Sequence, residues 1–61
     1  MIQINDNLTI DTKIAFAFFD LGFIFEHRNR SDLALQNYRK ALAYDNNLRF
    51  IEMRIKELIT A

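Results

Sequence analysis

Ile14-Ala15-Phe16-Ala17-Phe18-Phe19-Asp20-Leu21-Gly22-Phe23-Ile24-Phe25 is the longest apolar run in the chain, interrupted once, by Asp20. At about 100° per residue, Ile14, Phe18, Leu21 and Phe25 share one side of a helix, and Phe16, Phe19 and Phe23 lie nearly opposite. A helix that is apolar on two sides must be covered on two sides. A single neighbouring helix covers only one. The run is also far short of the roughly 20 apolar residues that a bilayer crossing requires, so the surplus surface asks for a protein neighbour.

Around this run the chain reads as helical throughout. It has no proline and one glycine in 61 residues, which argues against a loop-rich or all-β fold. The first helix is expected from Asp11, as cap, to about Arg28, with His27, Arg28 and Arg30 at the negative end of its dipole. Asn29-Arg30 makes a turn. Ser31 is expected to cap a second helix that ends near Tyr44, with Asp32 in its first turn. Asp45-Asn46-Asn47 is a second turn, and Asn47 is the expected cap of a third helix running to about Thr60. Short turns between three helices predict an antiparallel all-α arrangement over residues 11–61. Residues 1–10, with Ile2, Ile4, Leu8 and Ile10 among polar neighbours, read as an arm able to cover part of an apolar face.

The spacing Phe18-x2-Leu21-Gly22-x2-Phe25, followed by Ala34-x3-Tyr38-x2-Ala41, resembles the tetratricopeptide repeat. The resemblance covers residues 15–48, one full period. Asp45 falls where that family commonly ends its second helix in an acidic residue; Asn46 replaces its usual proline, and Asn29-Arg30 replaces a common Gly-Asp turn. The resemblance implies a single antiparallel helical hairpin with a third, capping helix.

The chemistry of the residues agrees with close helix packing. A glycine inside a helix costs about 1 kcal/mol relative to alanine, so Gly22 makes sense where another backbone or ring comes close. Ala34 and Ala41 supply small surfaces on the second helix. Phe18, Leu21 and Phe25 are then expected to interdigitate with Tyr38 and Leu42 as core. Leu48, Ile51, Ile55, Leu58 and Ile59 form the stripe with which the third helix would cover the hairpin. Lys56 stands where a further repeat would need its glycine, so the third helix reads as a cap.

The resemblance also implies a concave binding face. Its positions fall on Phe16, Phe19, Phe23, Glu26 and His27 of the first helix and on Phe50 and Met53 of the third. Asp20, seven residues before His27, is grouped with the same surface. Phenylalanine and methionine supply large, adaptable contact area, so the expected partner is an apolar segment of another protein. A second copy of the chain, making a homo-oligomer, or a permanent place in a larger complex is the alternative.

Other functions find little support. Eight basic and eight acidic residues cancel, which gives no field for steering nucleic acid. Arg28, Arg30, Arg39, Lys40, Arg49 and Arg54 are interleaved with acids and read as a solvated face, so neither nucleic acid nor a membrane is the expected partner. Without cysteine and with one histidine, neither a disulfide nor a structural zinc site is expected. Glu26-His27 and Asp20 form no carboxylate–histidine–nucleophile set, no phosphate-binding glycine loop is present, and no cofactor or enzymatic activity is expected. Met1 is followed by neither a cationic nor an apolar leader, so a cytoplasmic location is the expectation.

Overall fold

The computed structural model describes residues 9–60, which form three helices: α1 (Ile10–His27), α2 (Ser31–Tyr44) and α3 (Arg49–Thr60). No strand occurs among the described residues. The fold is all-α, as its periodicity predicts. The arm expected at residues 1–10 lies outside the described residues up to position 8; Thr9 and Ile10 belong to the start of α1.

The helix starts differ from expectation in detail. Thr9, not Asp11, caps α1: its hydroxyl accepts from the Thr12 N–H at 3.1 Å, and Asp11 sits in the first turn. Ser31 is the first residue of α2, and Arg30 holds the cap position without a side-chain bond. Asn47 donates its own N–H to Asp45 Oδ1 at 3.0 Å and so shapes the turn before α3, which opens at Arg49. Asp11, Ser31 and Asn47 are all capping types that stand one or two positions from the cap each was expected to fill.

Between α1 and α2 the chain reverses in a Schellman turn. Asn29 is in the left-handed region at φ 62°, a conformation that asparagine tolerates better than most residues. Its N–H donates to the Glu26 carbonyl at 3.1 Å, and the Arg30 N–H donates to the Phe25 carbonyl at 2.9 Å. The Phe25 and Glu26 carbonyls, free at the end of α1, are thereby satisfied. Asn29-Arg30 makes the expected turn without glycine.

The hairpin is antiparallel. Thr12, at the start of α1, donates its hydroxyl to Asp45 Oδ2, just past the end of α2, at 2.6 Å. Phe18 stacks on Tyr44 at 5.7 Å, and Gly22 lies against Tyr38 and the Ala34 carbonyl. Ala15, Ala34, Tyr38, Ala41 and Ile51 are fully buried, and Phe18, Phe19, Phe25, Leu42, Leu48, Ile55 and Leu58 pack around them. Helix α3 closes on α2 through Ile51 and runs parallel to α1, with Phe50 near Phe16 and Arg54 near Phe23.

Two expected core positions are corrected. Leu21 is 44% exposed and Ile59 60% exposed. The centre of the α1 interface is held by Ala15 and Gly22, so Leu21 falls one step beyond Phe18 and clear of α2. Ile59 occupies the last turn of α3, past the end of the surface it would cover.

Asp45 links the hairpin's open end to acid stability. The bond from Thr12, then the Asn47 N–H, hold its carboxyl below the ordinary carboxylate range. A carboxylate with a depressed folded-state value adds stability that is complete above its unfolded value near 4 and is lost as pH falls through the folded one. The melting temperature should therefore fall on acidification from neutral to about pH 3, and less steeply in Asp45→Asn. Equal slopes in thermal melts of the two proteins would assign the acid sensitivity elsewhere.

Candidate functional site

Helices α1 and α3 lie side by side, and their aromatic residues form one continuous row. Phe16 stacks on Phe50 at 6.1 Å, Phe50 meets Phe19 edge-on at 5.0 Å, and Phe19 stacks on Phe23 at 6.3 Å. The row ends with Phe23 edge-on to His27 at 4.3 Å. Phe16 of α1 and Phe50 of α3, both expected on one binding face, are thus in direct contact.

Burial divides the expected binding residues. Phe50 and Met53 are exposed, at 45% and 58%, and Phe23 is marginally so; Asp20 and His27 are also exposed. Phe16 is half-buried. Phe19 is shared: its ring stacks on buried Tyr38 at 5.4 Å and also meets Phe23 and Phe50, so it belongs both to the core and to the row. The accessible apolar surface is therefore Phe23, Phe50 and Met53, with Phe16 and Phe19 as its floor.

Glu26 faces inward. Its Oε1 accepts the Tyr38 hydroxyl at 2.7 Å and lies 3.3 Å from Arg54 Nε. That nitrogen is shielded from solvent but misaligned with the carboxylate, so the second contact is a charge pair and not a directed bond. Burial, then the bond to Glu26, pushes the Tyr38 hydroxyl up to about 12. Tyrosine therefore remains the proton donor throughout the physiological range. Arg54 also lies over the Phe23 ring, 5.5 Å from its centroid. The group ties all three helices together beneath the polar end of the row.

Sequence patterning missed this group. The available signal was chemical: a buried tyrosine needs an acceptor, and an antiparallel hairpin that sets Gly22 against Tyr38 brings Glu26, one turn further along α1, within reach.

A polar cleft of about 330 Å³ lies at the other end of the hairpin, lined by Thr9, Asp11, Thr12 and residues 43–47. Asp45 there already accepts from the Thr12 hydroxyl and the Asn47 N–H. Among the described residues, no three His, Cys, Asp or Glu side chains gather as a metal site would require, and no helix is long and apolar enough to cross a membrane.

No protein-family model, no curated protein and no solved structure matches this chain.

Proposed function

We propose that this chain is a non-catalytic protein-binding module, a small adaptor, chaperone or assembly factor, that takes an apolar segment of another protein on its phenylalanine face. In this reading α1 and α2 are a tetratricopeptide-like hairpin and α3 is its cap. The observation that carries the proposal is the aromatic row across α1 and α3, with Phe23, Phe50 and Met53 left open to solvent. Large apolar side chains on two parallel helices suit a ligand that offers its own apolar anchors. The polar end at His27 and Arg54 gives such a ligand an orientation. The close seat of Gly22 on Tyr38 supports the tetratricopeptide-like reading, because it gives a mid-helix glycine a physical reason.

Selection from a random peptide library tests the proposal. The wild type should enrich sequences with large apolar anchors, and Phe23→Glu/Met53→Glu should lose that enrichment. Because both side chains are exposed, helicity by circular dichroism should be retained. Phe19 is unsuitable for this purpose, since a charge there would be driven against Tyr38. Unchanged enrichment in the double variant would reject the face.

A further inference from the structure

A second apolar surface runs along the opposite flank of α1, away from α3. Ile10, Ile14, Ala17, Leu21 and Ile24 follow one another at steps of four, three, four and three residues. That is the 3.5-residue spacing of a coiled-coil seam. Ile10, Leu21 and Ile24 are 72%, 44% and 52% exposed, Ala17 is exposed and Ile14 is half-buried. On one side the seam runs into Phe18 and Phe25, which turn to the core. On the other side it is edged by Lys13 and Asp20. Both are exposed, and neither forms an ion pair among the described residues.

From this we infer that a second copy of the chain covers the seam, as an antiparallel α1–α1 pair about a twofold axis near Phe16. The edge charges choose the occupant and its direction. Lys13 and Asp20 stand seven residues apart, about 10 Å along the helix, too far to pair within one chain. In an antiparallel pair like edges face each other, so Lys13 of one copy comes opposite Asp20 of the other, twice by symmetry. Ile10 then meets Leu21 and Ile14 meets Ala17, whose small side chain permits close approach. A parallel pair would set these charges against the Phe18 and Phe25 edge and leave them unmatched. The aromatic row on the far side of α1 remains open, so a dimer would carry two outward-facing binding faces.

Sedimentation equilibrium of the full chain from low micromolar to millimolar concentration tests the inference. The wild type should be a dimer that Leu21→Glu converts to a helical monomer, while Phe23→Glu leaves dimerisation unchanged. Lys13→Glu and Asp20→Lys should each weaken association about tenfold, because each places like charges together. The double reversal should return it to within a few-fold of wild type, an outcome independent of whether Leu21→Glu folds well. A monomer at every concentration would overturn the inference, as would a dimer indifferent to Leu21→Glu. So would a double reversal weaker than either single change, or a monomer whose Leu21→Glu variant loses thermal stability because residues 1–8 cover the seam.

Discussion

Gly22→Ala should destabilise the protein by up to about 2 kcal/mol, although alanine is the better helix former. A Cβ at position 22 would stand 2.5 and 2.6 Å from two ring carbons of Tyr38 and 3.1 Å from the Ala34 carbonyl oxygen. The ring cannot swing aside cheaply, because it is fully buried and its hydroxyl is bonded to Glu26. Either the two helices separate or that bond breaks. Overpacking of this kind costs about 1–3 kcal/mol or more, against about 1 kcal/mol of helix propensity returned. Gly22→Val adds two further methyl groups and a less helical residue, and should cost at least about 3 kcal/mol. A domain of this size has about 3–9 kcal/mol in total. Thermal melts should show Gly22→Val largely unfolded at ambient temperature, and Leu21→Ala, one residue away but exposed, close to wild type. If Gly22→Ala raised the melting temperature, the close approach to Tyr38 would be wrong.

That contrast between neighbouring positions marks where the sequence stops being sufficient. The three helices and both turns were legible, because apolar residues recur at helical spacing and Asn29-Arg30 and Asp45-Asn46-Asn47 break the pattern. Which side of α1 meets α2 was less so. The expected core ran through Phe18, Leu21, Gly22 and Phe25, with Gly22 as a point of close approach but the large apolar side chains given the centre. Close helix packing instead puts the smallest residues at its centre, so Ala15 and Gly22 face α2 directly while Phe18 and Phe25 lie on one shoulder and Phe19 and Glu26 on the other. The whole interface is thereby rotated away from Leu21. That rotation leaves the Leu21 flank bare and draws Phe19 half into the core. It also explains Glu26, which was expected on the binding face and which here closes on Tyr38. The aromatic face was expected only from the positions that the family resemblance implies, and Phe16, Phe19, Phe23 and Phe50 of that set do come into contact.

Ile51→Ala should be the most damaging single truncation in α3, costing about 2–5 kcal/mol. Ile51 is the one side chain that α3 buries completely, and it sits in the cluster of Ala15, Ala34, Tyr38 and Ala41. The other fully buried members of that cluster are three alanines, too short to extend into the space, and Tyr38, whose hydroxyl is bonded to Glu26. With total stability of about 3–9 kcal/mol for a chain of this length, the loss is a large fraction of the whole. At about 4–8 °C per kcal/mol the melting temperature should fall by at least about 8 °C. Ile59→Ala, in the same helix but exposed, should change stability by no more than about 0.5 kcal/mol. Function should follow stability here, because α3 supplies Phe50 and Met53 to the open face and Arg54 to the group beneath it. Peptide capture by Ile51→Ala should therefore fail at temperatures where Phe23→Glu/Met53→Glu remains folded. Hydrogen exchange separates two ways this could happen. Loss of protection confined to residues 49–60 would mean that α3 docks as an independent cap, whereas loss across all three helices would mean that Ile51 holds one cooperative core. Burial of Ile51 together with Tyr38, the residue on which α1, α2 and Glu26 converge, favours the second outcome.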